Sequence, residues 1–238
     1  FEAVFVPVMA PALFLMGIGP LARWKRASLP ELAVLLRWAL AVSLALGLIL
    51  PFFFGRWSAL VGFGLSLAAW IFIATLMSFK GRLRQTRAHY GMALAHIGMG
   101  VMVVGITLVK AYESDADVKI RAGQSVALAG YVFHLDGVAP VKGPNYTAAQ
   151  ARITVTRDGK PVTVMRPERR VYTVQEQVMT EAAISPGLTR DLYASLGDPI
   201  GEDGTWLLKV QHKPFIDWIW GGALLMALGG LLAAADRR

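Results

Sequence analysis

Five long apolar stretches run through the chain, and a segment of alternating polarity separates the fourth from the fifth. Because a bilayer core is ~30 Å thick, a helix needs about 20 apolar residues to cross it. Stretches that approach or reach this length lie at about 4–22, 32–54, 57–79, 90–109 and 215–235. The pattern therefore predicts five transmembrane helices.

The intervening residues 112–213 are rich in β-branched residues, short alternating runs and turn residues, which is typical of a small β domain. The alternating runs predict strands at 118–121, 131–135, 152–156, 161–165 and 206–211. Asp158-Gly159 separates two of these runs, and this dipeptide is a strong hairpin signal. Segments near 175–182 and 188–196 are expected to form small helices or loops before the closing strand.

These patterns predict a membrane α-helical protein with five transmembrane helices and one external small β-barrel or β-sandwich domain inserted before the last helix. The expected domains are 1–111 with four helices, 112–213 with the β domain, and 214–238 with the last helix and a cytoplasmic tail. The stretch 179–193 is expected to be a long ordered loop, which either binds a partner or only connects strands. Because the chain begins at Phe1 without an initiator methionine or a signal peptide, we expect it to be the C-terminal part of a longer protein.

Composition supports a membrane protein, since 55% of the residues are hydrophobic, 17% are charged and the mean hydropathy is +0.49. These values exclude an ordinary soluble globular protein. The absence of cysteine excludes disulfides, iron–sulfur clusters, zinc–thiolate sites and thiol catalysis by this chain. The net charge is +8, but residues 112–213 have 12 basic and 12 acidic residues, so the whole excess belongs to the apolar remainder. That distribution is typical of membrane-flanking charge and argues against nucleic-acid binding.

The basic residues between the apolar stretches are distributed unevenly over the two sides of the membrane. One side has Arg23, Lys25, Arg26, Lys80, Arg82, Arg84, Arg87, Arg237 and Arg238. The other side has only Arg56 and Lys110 near its membrane ends. By the positive-inside rule, the first set is cytoplasmic, and the N-terminus and residues 112–213 lie outside. Aromatic residues near the predicted helix ends, among them Trp24, Trp57 and Trp218, are consistent with these boundaries.

His96 lies six residues into the fourth apolar stretch, ~9 Å along a helix axis and inside the hydrocarbon. An ionisable group at this depth needs a partner. A neutral imidazole offers one acceptor nitrogen to iron and one N–H to a second partner, which suits axial heme ligation. The alternative is a histidine that packs against a neighbouring helix, or relays protons, in a cofactor-free membrane assembly or transporter subunit. The residues alone leave both alternatives open.

The other three histidines have weaker claims to a function. His89 precedes His96 by two helical turns, ~10.5 Å, so one iron cannot be reached by both in a straight helix. It is expected at the interface, with a heme propionate or a lipid phosphate as a further contact. His134 is expected on a strand, and His212 in an exposed linker before the last helix. Because no Ser-His-Asp set, Walker motif or metalloprotease motif is present, no catalytic residue is predicted.

Glycines surround His96 on the fourth predicted helix. Gly91, Gly98 and Gly105 follow a seven-residue spacing, and therefore form a stripe without side chains. Such a stripe allows close approach of either a neighbouring helix or a flat ligand such as a porphyrin beside His96. Both alternatives stay open for Gly91 and Gly98.

Several motifs occur together in one order and with one hydropathy profile. They are Pro11-Ala-Leu-Phe-Leu-Met-Gly-Ile-Gly-Pro20-Leu, Gly91-Met-Ala-Leu-Ala-His96-Ile-Gly98, Gly143-Pro-Asn-Tyr146, Val155-Thr-Arg-Asp-Gly159, Met179-Thr-Glu-Ala-Ala-Ile184, Thr189-Arg-Asp-Leu-Tyr193 and Lys213-Pro-Phe-Ile-Asp-Trp-Ile-Trp220. Across essentially the whole chain, these motifs resemble the C-terminal portion of the CcmF family, the large subunits of the bacterial cytochrome c heme lyase.

The resemblance implies that His96 is an axial ligand of a b-type heme embedded in the membrane. The second axial ligand and the tryptophan-rich external heme segment of the family would lie N-terminal to this chain. Heme as substrate would come from the heme chaperone CcmE and be attached to apocytochrome c outside the bacterial inner membrane. The outer β domain would then be a platform for apocytochrome c or for the partner subunits CcmH and CcmI.

Overall fold

The computed structural model describes residues 2–22, 28–54, 56–80, 85–174 and 176–236. The chain divides into two compact units. One unit consists of Phe1–Tyr112 together with Phe215–Arg238, and the other of Glu113–Pro214. The first is helical and the second is a β-sandwich, and each is described by itself.

The helical unit contains five helices that are long and apolar enough to cross a membrane. They are α1 (Glu2–Ile18), α2 (Leu29–Ile49), α3 (Ala59–Met77), α4 (Arg87–Tyr112) and α5 (Ile216–Ala234). Short 3₁₀ helices follow α1 at Gly19–Leu21 and α2 at Leu50–Phe54. The prediction of five helices is confirmed. Of the residues used for the topology, Arg23, Trp24, Lys25, Arg26, Arg82, Arg84, Arg237 and Arg238 lie outside the described residues.

Local sequence accounts for the start of α2. Ser28 has extended backbone angles, and its Oγ accepts a hydrogen bond from the N–H of Glu31 at 3.4 Å. Serine is a preferred N-cap residue because its side chain satisfies a backbone donor that the first turn leaves without a partner. Pro30 follows in the first turn, where it costs no helical hydrogen bond.

Helix α3 lies at the centre of the helical unit. Its Trp70 is 3% exposed, stacks on Phe14 of α1 with the ring centroids 5.2 Å apart, and donates from Nε1 to the Phe14 carbonyl at 2.8 Å. Leu36 of α2 and Val103 of α4 belong to the same buried cluster. Helix α3 therefore joins α1, α2 and α4, and the carbonyl supplies the partner that a buried indole N–H needs.

The β unit is a sandwich of two antiparallel sheets. Its strands are β1 (Ser114–Ile120), β2 (Ser125–Leu128), β3 (Tyr131–Lys142), β4 (Tyr146–Arg157), β5 (Lys160–Met165), β6 (Glu168–Tyr172), β7 (Val178–Glu181), β8 (Ala183–Ser185), β9 (Arg190–Ile200) and β10 (Thr205–Pro214). Sheet A has the order β1-β10-β9-β8, and sheet B has the order β2-β3-β4-β6-β7, with β5 also paired to β4. Alternate residues from both sheets form one core, which includes Phe133, Ile153, Leu196 and Val210. The predicted sandwich before the last helix is confirmed.

Two segments differ from the sequence-based expectation. The small helices or loops expected near 175–182 and 188–196 are strands β7 and β9, and most of the expected loop 179–193 forms β7, β8 and the start of β9. In β9 the buried core residues are Leu192, Ala194 and Leu196, a period-2 pattern in which one member is small. Small and charged residues lower the apparent β propensity, but packing between the sheets decides the conformation.

His212 also differs from its prediction as an exposed linker. It lies within β10, half-buried, with its ring 5.9 Å from the ring of Tyr131. His134 lies on β3, as the alternation predicts.

The predicted hairpin at Asp158-Gly159 is confirmed. Arg157 pairs with Lys160, and the two residues between them have φ values of +50° and +73°. Positive φ at both central positions is characteristic of a type I′ turn, which fits the twist of the flanking strands.

We expect Gly159→Ala to weaken this hairpin by about 1 kcal/mol, because a side chain disfavours the left-handed backbone conformation. Hydrogen exchange of the full chain in detergent should show about fivefold faster exchange in the amides of β4 and β5. Gly137→Ala is the matched control, because Gly137 lies on β3 without a positive φ and with open space at its Cβ position. Equal acceleration in both variants would contradict the assigned turn conformation.

Candidate functional site

His96 lies on α4, and its imidazole has a defined orientation. Nδ1 is 2.8 Å from the Met92 carbonyl oxygen one turn earlier. Because a carbonyl can only accept, Nδ1 carries the proton and donates to Met92. In the neutral imidazole, Nε2 therefore presents its lone pair. The side chain is half-buried in the described helical unit. In histidines that bind a metal, a hydrogen bond typically fixes one ring nitrogen and the other nitrogen binds the metal. The ring of His96 has the first of these features and leaves Nε2 for the second.

The glycine stripe of α4 packs against α5. A Cβ at Gly98 would lie 2.6 Å from the Gly222 carbonyl oxygen, and a Cβ at Gly91 would lie 2.5 Å from the Gly229 carbonyl oxygen. Further along α4, a Cβ at Gly105 would lie 2.9 Å from the backbone nitrogen of Ile219 on α5. Of the two alternatives for the stripe, a neighbouring helix or a flat ligand, the structure has the helix, α5. The face leaves no room for a flat ligand.

His96 lies on a different side of α4 from this stripe. At 100° per residue, it is about 160° around the helix from Gly98 but only about 40° from Gly100. A Cβ at Gly100 would meet the ring of Phe72 on α3 at 2.6 Å. The structure therefore places His96 toward the α3 side of α4, separate from the α5 contact.

Thr75 on α3 is a further polar residue of this region, which the sequence reasoning missed. It is fully buried, and its hydroxyl has no hydrogen-bond partner in the described part of the chain. Thr75 lies between Phe72, which abuts Gly100, and Ser78, which contacts His89. It is therefore on the length of α3 that runs beside the His96 turn of α4. A lone threonine inside a long apolar run is the signal that could have identified it.

His89 lies near the start of α4 and has contacts of its own. Its Nε2 is 3.2 Å from the Ser78 hydroxyl, and its ring meets the ring of Phe79 edge-on at 4.8 Å. Its backbone N–H donates to the Thr86 hydroxyl at 3.1 Å. The structure does not bring His89 and His96 together, because two helical turns separate them on one continuous helix. A propionate contact for His89 stays a prediction.

No cluster of three or more histidine, aspartate or glutamate side chains that could hold a metal ion occurs among the described residues. Among the described residues, the helical unit therefore offers isolated imidazole donors on α4, and His96 is the one that lies inside the apolar run. Such a donor suits a cofactor that brings most of its own ligands, as a porphyrin does.

Comparison with known proteins gives matches over the whole chain. The family model described as the CcmF C-terminal beta-sandwich matches residues 111–214. The cytochrome c-type biogenesis protein CcmF of Pseudomonas aeruginosa is 42% identical, with 100% of this chain and 38% of the relative covered. The CcmF of Escherichia coli is 41% identical, with coverages of 100% and 37%. The chain thus spans less than two fifths of the length of these relatives.

A solved structure also matches. It bears the name "Cytochrome c Heme Lyase CcmF", and the TM-score is 0.82 at 23% sequence identity. The alignment covers 99% of this chain and 40% of that one. At this identity the match shows the fold, and it supports both the five helices and the sandwich between the fourth and fifth of them.

Proposed function

From the premise that this chain belongs to the CcmF family, in which it corresponds to the C-terminal portion, we propose that it is part of a cytochrome c heme lyase. The complete protein would attach heme to apocytochrome c outside the bacterial inner membrane, where the thiols of the apocytochrome add to the vinyl groups of heme. The chain described here would contribute five membrane helices, one external domain and a ligand for a b-type heme.

The observation that carries this proposal is the fixed imidazole of His96. Its Nδ1–H is held by the Met92 carbonyl, so Nε2 is the nitrogen that would bind heme iron. The hydrogen bond keeps the ring in one tautomer and one orientation, which favours an Fe–N bond at Nε2. When bound, a b-type heme would supply a one-electron carrier that keeps the substrate heme iron reduced. The role of His96 would be to hold and orient that carrier.

Charge supports one orientation in the membrane. Among the described residues, Lys80 and Arg87 flank the α3–α4 connection, whereas Arg56 and Lys110 lie near the opposite helix ends. By the positive-inside rule, we propose that the α3–α4 connection and the C-terminus are cytoplasmic and the sandwich is periplasmic.

A periplasmic sandwich would be on the side where apocytochrome c is available. We therefore propose it as a platform for apocytochrome c or for the subunits CcmH and CcmI. A four-residue edge strand, β7, is exposed along its whole length in the described sandwich, so a partner could reach it.

The experiment that tests this function is a heme spectrum. The protein is purified in detergent together with the part of the family's length that this chain does not span. We expect a reduced-minus-oxidised difference spectrum and a pyridine hemochrome of the b type. Purified protein without heme would contradict the proposal and would favour a cofactor-free assembly or transporter subunit with His96 as a packing or proton-relay residue.

A further inference from the structure

Four polar residues occupy one end of the sandwich, between the two sheets. Tyr131 begins β3 and Arg157 ends β4 in sheet B, while Arg190 begins β9 and His212 lies near the end of β10 in sheet A. Each lies two residues beyond a buried core residue of its own strand. Because side chains alternate along a strand, all four share the inner face with the core. We call this group the Tyr131 cluster.

The cluster is organised around the phenol of Tyr131, which is 4% exposed. Its oxygen accepts a hydrogen bond from Arg157 Nη1 at 3.0 Å and another from Arg190 Nε at 3.0 Å. The two guanidinium carbons lie 5.1 and 5.3 Å from the centre of its ring. The ring of His212 stacks on the same phenol ring at 5.9 Å. Two cations are thus held close together by one neutral side chain.

In the described part of the sandwich, this pair has one long and exposed ion pair, of a kind that contributes little. The nearest acidic partner of Arg157 is Asp158, at 3.9 Å and 89% exposed, and Arg190 donates otherwise to the Ser185 carbonyl at 3.0 Å. Asp191 follows Arg190 but, by strand alternation, lies on the opposite side of β9, where it accepts from the Gly187 N–H at 3.1 Å. Most of the positive charge of the cluster therefore has no compensating carboxylate among the described residues.

Several other basic side chains of the sandwich are paired with carboxylates. Five of them form ion pairs with carboxylates: Arg121 with Asp203, Arg152 with Asp136, Arg169 with Asp198, Arg170 with Glu168 and Glu181, and Lys209 with Asp115 and Asp117. Arginine guanidinium groups bind carboxylate and phosphate oxyanions, so the N–H groups that these two arginines do not use on the phenol can bind an oxyanion from outside the protein.

His212 adds a second sign of an unfilled polar site. Its Nδ1 is buried and has no hydrogen-bond partner among the described residues. Burial lowers the pKa of His212, and the nearby charges of Arg190 and Arg157 lower it further. The neutral imidazole therefore leaves the two guanidinium groups as the cations of the cluster.

Chain connectivity joins this end of the sandwich to two membrane helices. His212 pairs with Ser114, and Ser114 follows the last residue of α4 by two positions. Arg190 pairs with Pro214, which precedes the first residue of α5 by two positions. Both chain connections at this end of the sandwich therefore lead into helices that are long and apolar enough to cross a membrane. The headgroup layer lies directly outside the hydrocarbon that these helices cross.

We propose that the Tyr131 cluster binds the phosphate of a phospholipid headgroup. Arg157 and Arg190 contribute the N–H groups that Tyr131 and Ser185 do not use, and Tyr131 fixes their positions. The side chain of Arg157 is 57% exposed, so the site is accessible from solvent. The ligand chemistry is a phosphate oxyanion, whose source is a membrane lipid because both chain connections at this end lead into membrane helices. This site does not depend on heme binding.

The test uses the full chain in a zwitterionic detergent, titrated with short-chain phosphatidylglycerol and, in a separate arm, with inorganic phosphate. The variant Arg157→Gln/Arg190→Gln removes both charges and keeps the side-chain length. We expect at least a tenfold higher Kd for the lipid in this variant. Tyr131→Phe keeps the ring and removes the acceptor, and should raise the Kd severalfold.

The matched control is Arg121→Gln/Arg152→Gln, which removes the same charge from exposed ion pairs of the same sandwich. Its Kd for the lipid should stay within twofold of that of the unmodified chain. Arg157→Gln/Arg190→Lys should recover part of the affinity that Arg157→Gln/Arg190→Gln loses. An equal loss in the control pair would show unspecific attraction and overturn the site. Equal affinity for inorganic phosphate and for the lipid would overturn the lipid assignment. If Arg157→Gln/Arg190→Gln is not monodisperse, the comparison rests on Tyr131→Phe, whose unchanged Kd would also overturn the site.

Discussion

Replacing His96 with alanine should abolish the b-type heme spectrum of the purified protein while the protein still accumulates in the membrane. The expected loss is complete, because the proposed bond from Nε2 to heme iron would have no substitute on this turn of α4. Alanine is the best helix former, so α4 itself should persist. The change also removes the hydrogen bond to Met92, a loss of about 1 kcal/mol. The measurement is the pyridine hemochrome per milligram of monodisperse protein.

His89→Ala is the matched control, because it removes an imidazole from the same helix two turns away. Its own contacts are with Ser78 and Phe79 at the end of α3, so heme content should stay near that of the unmodified protein. Free imidazole added to the His96→Ala protein should restore part of the spectrum if the lost group is the ligand itself. Retention of heme in His96→Ala would refute the ligand role of this residue.

The two histidines show how far sequence reasoning can go with a membrane site. Depth in an apolar run distinguished His96 from His89, because an ionisable group in hydrocarbon is energetically costly and usually has a partner or a function. The sequence could not provide the hydrogen bond from Nδ1 to Met92, since the rotamer depends on what surrounds the ring. Thr75 was missed because its significance depends on the packing of α3 against α4, and no local pattern encodes that packing.

The sandwich shows the same division between local and non-local information. The Asp158-Gly159 turn was predicted because its backbone conformation is a local property of two residues. Strand β9 was missed because its Ala194 and Ser195 carry little strand propensity, and neighbouring strands on both sides determine its structure. The Tyr131 cluster joins the ends of four strands that lie far apart in sequence, so it could be recognised only from the fold.

For the glycine stripe, the sequence left two alternatives, a neighbouring helix or a flat ligand. The structure has helix α5 there, so a side chain added in this contact should have a large effect on stability. A Cβ at Gly222 of α5 would lie 2.5 Å from the Gly98 carbonyl oxygen and 2.7 Å from the Met102 nitrogen on α4. Both are backbone atoms, so no side-chain rotation can relieve the overlap. Close approach of this kind is how small residues hold membrane helices together through van der Waals contact.

We expect Gly222→Ala to destabilise the protein by about 3 kcal/mol, at the upper end of the cost of overpacking a well-packed interior. Gly221→Ala is the matched control, because the adjacent Cβ position has no atom within 4 Å. Alanine has the higher helix propensity, so the control should be unchanged or slightly more stable, and only Gly222→Ala should lose stability. The measurement is the fraction of monodisperse protein that remains after heating in detergent.

Gly98→Ala probes the same contact from the α4 side, since its Cβ would lie 2.6 Å from the Gly222 carbonyl oxygen. Once the first alanine has moved the two helices apart, the Cβ of the second alanine overlaps less with the backbone of the facing helix. The double variant Gly98→Ala/Gly222→Ala should therefore be destabilised by less than the sum of the two single effects. Because α4 also carries His96, the same separation should lower heme content in both single variants but not in Gly221→Ala. Equal stability of Gly221→Ala and Gly222→Ala would refute the assigned contact between α4 and α5.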